Sequence, residues 1–96
     1  MKLGVFLSEL QGNESMLDRL KAEKLGVFLV QNGVYHALVR EDSKVLEVLG
    51  RDYYCLTEDL QTRGFTVDDV DSKVNVVTYN NVVDLMMNDY EKLIWL

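Results

Sequence analysis

Apolar residues in this chain come in short unbroken runs, separated by polar segments with helical spacing. Lys2 to Leu7 reads KLGVFL, and the same hexamer returns at Lys24 to Leu29. Consecutive rather than alternating apolar positions suit strands buried on both faces, as in a parallel sheet covered by helices. The flanks of the two hexamers differ, so they are read as two neighbouring core strands under similar packing demands, not as a repeat. Between them a helix is expected, capped at Asn13 or Ser15, with Met16, Leu17 and Leu20 inward and Asp18, Arg19 and Lys21 outward. Strand, helix and strand within about 30 residues make a right-handed βαβ unit.

The pattern continues to the end. Asn32 and Gly33 are expected to start a helix bearing Val34, Ala37 and Leu38. A hairpin at Asn-Gly is rejected, because Tyr35 to Arg40 does not read as a returning strand. Val45, Leu46, Val48 and Leu49 form a second helical patch stopped by Gly50. Asp52 to Leu56 is the third strand. Thr57 is the expected cap of the next helix, Glu58 and Asp59 lie in its first turn, Arg63 in its last, and Gly64 closes it. Asp68, Asp69 and Asp71 read as a solvated turn. Val74 to Thr78 is the fourth strand. A last helix, capped by Asn80 or Asn81, carries a wide stripe of Val82, Val83, Leu85, Met86 and Met87. Lys92 to Leu96 reads as an edge strand or a tail pinned by Trp95. Five strands alternating with helices predict one α/β domain over residues 1–96, a three-layer α/β/α sandwich with a mainly parallel sheet.

Charge narrows the function. Ten Lys and Arg stand against 16 Asp and Glu, a net charge of −6, with no basic run. Nucleic-acid binders need clustered cations to neutralise phosphates, so no direct nucleic-acid contact is expected. No apolar run reaches the roughly 18–20 residues of a membrane span, and no signal peptide is read, so a cytoplasmic location is expected. One cysteine and one histidine exclude an internal disulfide and a Cys/His metal cluster. Without a P-loop, GxGxxG or GxSxG, no cofactor is expected.

Candidate chemistry gathers at the carboxyl ends of strands, where open α/β sheets bind ligands. Cys55 lies one residue before the end of the third strand. A helix N-terminus would favour its thiolate, whereas Glu58 and Asp59 would oppose it. The other reading is a small buried core residue. His36 is expected to be a partly exposed helical residue. Gln31, Asn32, Gly33, Glu58 and Asp59 are the candidate binding residues of the strand-end loops.

VFLVQNGVYHAL, YYCLTEDLQTRGF, SKVNVVTYNNVVDLM and a segment ending near Trp95 resemble the TusB/DsrH family over about residues 24 to 96. The most specific pieces are Gln31 to Val34 and the Leu-x-Glu-Asp-Leu-x-x-Arg-Gly pattern from Leu56 to Gly64. The resemblance implies a parallel five-stranded DsrE-like fold and oligomeric assembly with DsrE/DsrF-like (TusD/TusC-like) subunits. It also implies a role in passing persulfide sulfur, toward the wobble uridine of tRNA in one branch and in sulfur oxidation in another. At the position of Cys55 the family usually has a small residue, whereas the sister subunits TusD and DsrE carry their catalytic cysteine at this strand end. Three readings follow: an auxiliary subunit of a sulfur relay, a persulfide carrier using Cys55, or a homo-oligomeric binding module unrelated to sulfur.

Overall fold

The computed structural model describes residues 1–10, 14–48 and 50–96. Five strands form one all-parallel sheet: β1 (Lys2–Leu7), β2 (Lys24–Leu29), β3 (Arg51–Leu56), β4 (Val74–Val77) and β5 (Lys92–Trp95). Their spatial order is β4-β3-β2-β1-β5. The two KLGVFL hexamers are adjacent and in matching register, Leu3 beside Leu25, Val5 beside Val27 and Phe6 beside Phe28. The odd positions of β1 and β2 face one side of the sheet and the even positions the other, which is why every residue from the second to the sixth of each hexamer is buried.

The connections sort by face. From β1 to β4 the chain steps in one direction, so right-handed crossovers put every connection on one face. These are α1 (Glu14–Leu17), 3-10 turns at Gln31–Ala37, Val39–Glu41 and Lys44–Glu47, and α2 (Thr57–Thr62). Their Leu17, Val34, Ala37, Leu46 and Leu60 pack on Val5, Val27, Leu29 and Cys55. The return from β4 to β5 crosses the opposite face with one helix, α3 (Tyr79–Asn88). There Val82 packs with Phe6, Phe28, Val30 and Tyr90. The expected three-layer α/β/α sandwich is therefore present, with its two outer layers unequal.

Several local expectations change. The first helix is one turn: Leu17 is buried, but Met16 is exposed and Leu20 is only partly packed. So short a helix has no stability of its own, and the burial of Leu17 anchors it. The expected caps at Asn13 and at the Ser15 side chain lie outside the described residues, as does Leu49. The two helices expected between β2 and β3 are 3-10 turns, in which Val34 and Ala37, three apart, share one side. Val48 is exposed. Thr57 is the first residue of α2 and caps nothing; Leu56 holds the cap position. At the other end Gly64 closes the helix as expected, while Arg63, expected in the last turn, holds the C-cap position. Gly64, at φ +81°, donates to Gln61 O and Phe65 to Leu60 O, a Schellman closure. At α3 the cap is Thr78 rather than Asn80 or Asn81; its hydroxyl accepts from Asn81 N (3.3 Å) while Asn81 Oδ1 accepts from Thr78 N (3.0 Å). Of the wide α3 stripe only Val82 is buried, and Met87 stays 79% exposed.

Candidate functional site

Parallel strands bring all their carboxyl ends to one edge, and the candidate residues meet there. Asp59, in the first turn of α2, accepts from the backbone N–H of Gln31 at 2.6 Å. Gln31 sits at φ +50°, a left-handed conformation that costs an ordinary residue about 1 kcal/mol, and the carboxylate helps to hold it there. Arg63 reaches back from the end of α2 to Asn32 Oδ1, with Nη2 at 3.0 Å and Nε at 3.3 Å. Its Nη1 also donates to the Asp59 carbonyl and lies 3.9 Å from the Asp59 carboxylate. Glu58 accepts from Tyr79 N, the first N–H of α3, at 3.2 Å. The two most specific sequence segments thus form one clamp across the ends of β2, β3 and β4.

Gly33 is a spacer within that clamp. A Cβ there would lie 1.8 Å from the carbonyl oxygen of Leu7, at the end of β1. Gly33 is buried, whereas Gln31, Asn32 and Glu58 are exposed and Asp59 is half-buried.

Cys55 lies on the other side of the clamp from solvent. Its side chain points into the face covered by α1, α2 and the 3-10 turns, and it is 0% exposed. Burial, and secondarily the Asp59 carboxylate, push its thiol pKa up to about 12. A thiol so placed is almost wholly protonated at neutral pH and out of reach of a donor. His36 is not the partly exposed residue expected. It is 2% exposed, with Nε2 donating to Glu9 O (3.1 Å) and Nδ1 2.6 Å from Ser43 Oγ, which itself accepts from Val45 N. These bonds tie the β2–β3 connection to the segment after β1. Among the described residues no three His, Cys, Asp or Glu side chains gather as a metal site.

The opposite face is open. Trp95, Phe6, Phe28 and Tyr54 stack in a row across β5, β1, β2 and β3, with centroids 4.9–5.1 Å apart. Tyr90 closes one end of this layer, its ring edge on Phe28 and its hydroxyl over Gly26. Near the strand ends α3 stands off the row and leaves a cavity of about 530 Å³. Phe6, Val30, Leu56, Val82 and Met86 line it, and Gln31, Glu58, Asp59, Tyr79 and Trp95 rim it. Trp95 donates from Nε1 to Ser8 Oγ (3.2 Å), and Ser8 donates to Leu96 O. Sequence reasoning passed over Tyr79, Ser8 and the aromatic row; the row was signalled by aromatic residues at matching positions of four strands.

An open all-parallel five-stranded sheet with helices on both faces is the fold of a small α/β domain of the DsrE-like class. A model of the DsrH-like protein family matches residues 8–92, and the chain belongs to that family of sulfur-relay complex subunits. Among proteins of curated function none matches. Two solved structures share the fold. A protein of unknown function from Methanobacterium thermoautotrophicum superposes with a TM-score of 0.72 at 15% identity over 97% of both chains. A Thermotoga maritima protein solved by NMR superposes with a TM-score of 0.63 at 24% identity, over 90% of this chain and 93% of that one. Among the described residues no helix is long and apolar enough to cross a membrane.

Proposed function

We propose that this chain is an auxiliary, structural subunit of a cytoplasmic sulfur-relay assembly, serving wobble-uridine 2-thiolation of tRNA or a related sulfur pathway. Its neighbours are DsrE/DsrF-like (TusD/TusC-like) subunits, which supply the reactive cysteine. The single observation that carries this reading is the Cys55 side chain: fully buried, with its thiol pushed up to about 12. Sulfur exchange requires an accessible thiolate, and neither condition is met. Gln31, Asn32, Gly33, Glu58 and Asp59 serve to shape the strand-end edge presented to those neighbours. The acidic balance of the chain supports contact with tRNA through a partner only.

A carrier reading keeps one observation in its favour, the place of Cys55 one residue before the end of β3. Mass spectrometry after incubation with a small persulfide donor separates the two. The folded protein is expected to gain no sulfur and to resist alkylation, while the protein in denaturant reacts fully at one site. A gain of one sulfur atom on folded wild type, absent from Cys55→Ala, overturns the structural reading. Co-expression with DsrE-like and DsrF-like subunits tests the assembly, since a self-associating module unrelated to sulfur forms no complex with them.

A further inference from the structure

The cavity between α3 and the Phe6–Trp95 stack differs from an ordinary surface hollow in two respects. Its apolar surface is contiguous: Trp95 is 59% exposed, Tyr79 64% and Val83 37%, and Met87 extends the patch one turn along α3. Its charges are of one sign, because Glu58 and Asp59 rim it and no Lys or Arg lines it. Glu58 is exposed and forms no ion pair among the described residues; its recorded partner is the backbone N–H of Tyr79. Asp59 meets its cation, Arg63, only at 3.9 Å.

These facts select an occupant. A purely apolar or acidic partner that covered the rim would strip water from Glu58 and Asp59 without replacing it, which costs more than the apolar contact returns. A second copy of this chain is a poor occupant, since it brings another net −6 and the same two acids. A cationic side chain answers both features. It can pair with Glu58 and Asp59 while lying against the exposed aromatic rings of Trp95 and Tyr79. Aliphatic neighbours on the same segment can then cover Val82, Val83 and Met86.

We propose that this groove docks a segment of a partner protein in which an Arg or Lys stands beside aliphatic side chains. The proposal deepens the subunit reading, on which it rests for the existence of a partner. It does not depend on the state of Cys55, which lies on the other face of the sheet.

Trp95 is the only tryptophan, so its emission reports the groove directly. The probes are blocked heptapeptides of leucine and alanine with a central arginine, glutamine or glutamate. The arginine peptide is expected to change the emission saturably, the glutamine peptide more weakly, and the glutamate peptide not at all. Glu58→Gln keeps an acceptor for Tyr79 N and removes the charge; it should weaken the arginine peptide about threefold and leave the glutamine peptide unchanged. Val83→Gln should weaken both. The proposal is overturned if arginine and glutamate peptides bind equally, or if no peptide changes the emission up to about 1 mM. It is also overturned if emission shifts with protein concentration alone, which would make a second copy the occupant. Persulfide uptake at Cys55 leaves this readout untouched, so failure of the groove and failure of the auxiliary-subunit reading are separate results.

Discussion

Gly33→Ala reverses the usual sign of a glycine substitution. The backbone of Gly33 is not in the left-handed region, so helix propensity and unfolded-state entropy alone would make alanine stabilising by about 0.4–1 kcal/mol. The structure opposes this. The new Cβ would sit 1.8 Å from Leu7 O, well inside the 3.0 Å below which real contacts essentially do not occur. That oxygen cannot retreat freely, because it accepts the Val30 N–H at 3.2 Å, and Gly33 N in turn donates to Val30 O at 2.8 Å. Relief must lift the 3-10 turn from the end of β1 and stretch one of these bonds. Overpacking of this kind costs about 1–3 kcal/mol, and loosening a buried backbone hydrogen bond about 1 kcal/mol more. With the alanine gain subtracted, the net loss is about 1–3.5 kcal/mol, out of a total near 5–14 kcal/mol for a chain of this length.

Urea unfolding measures it. With a slope of about 1–2 kcal/mol per molar, the midpoint should fall by about 1.5 M. Gly64→Ala is the control. Gly64 has φ +81° and nothing within 4 Å of its would-be Cβ, so it pays only the conformational cost, about 1 kcal/mol. A Gly33→Ala midpoint at or above wild type, or a smaller loss than Gly64→Ala, would refute the close approach on which the clamp is built.

Three further outcomes are expected. The Cys55 thiol keeps its proton in the folded state well above its ordinary value of 9.0, whereas the unfolded chain loses it near that value; stability should therefore be complete below about pH 9 and decline as pH rises toward 12. Cys55→Ala should flatten the first part of that decline, and an unchanged slope would argue against the burial. Asn32→Ala removes the acceptor of Arg63 and should cost about 0.5–1.5 kcal/mol, with amide exchange at Gln31 accelerated more than in β1 or β2; uniform acceleration would mean the clamp is not a local device. Thr78→Ala should cost about 1 kcal/mol through loss of the α3 cap, while Thr57→Ala, whose hydroxyl caps nothing, should lie within about 0.5 kcal/mol of wild type; thermal melts would show the difference, and equal effects would contradict the cap assignment.

What could be read from the sequence depended on how local the cause was. The strands were legible because KLGVFL is apolar at every inner position, and only a sheet covered on both faces tolerates that. The closure of α2 was legible because Gly64 has a local reason to be glycine. The cap of α3 was misplaced by two or three residues, since Thr78 also extends a β-branched run and looked like strand. The burial of His36 was not legible. Its partners are Ser43, seven residues on in the same connection, and Glu9 from the segment after β1, and nothing in Tyr35-His36-Ala37 announces them. The clamp was half legible. Gln31 to Gly33 and Leu56 to Gly64 stood out as specific segments, but that they hold each other needed the fold, because Asp59 and Gln31 are 28 residues apart and Arg63 and Asn32 are 31. The acids of α2 were placed in its first turn and named as candidate binding residues. They are better described as acceptors for two backbone N–H groups of neighbouring connections.

The unequal faces of the sheet follow from strand order alone. Four successive strands laid down in one direction send all their crossovers to one side, and only the return to β5 crosses the other. That return is a helix of ten residues, about 15 Å long, set against five strands that span about 19 Å between the axes of the outermost two. One helix about 10 Å wide cannot cover such a surface, so the row from Tyr54 to Trp95 must be partly bare whatever side chains α3 carries. The cysteine lies on the side that topology seals, and the aromatic groove on the side that topology leaves open. A chain whose function rested on its own thiol would have to open the packed layer over β3 to use it. A chain whose function rests on being covered by a partner needs only what the open face already presents.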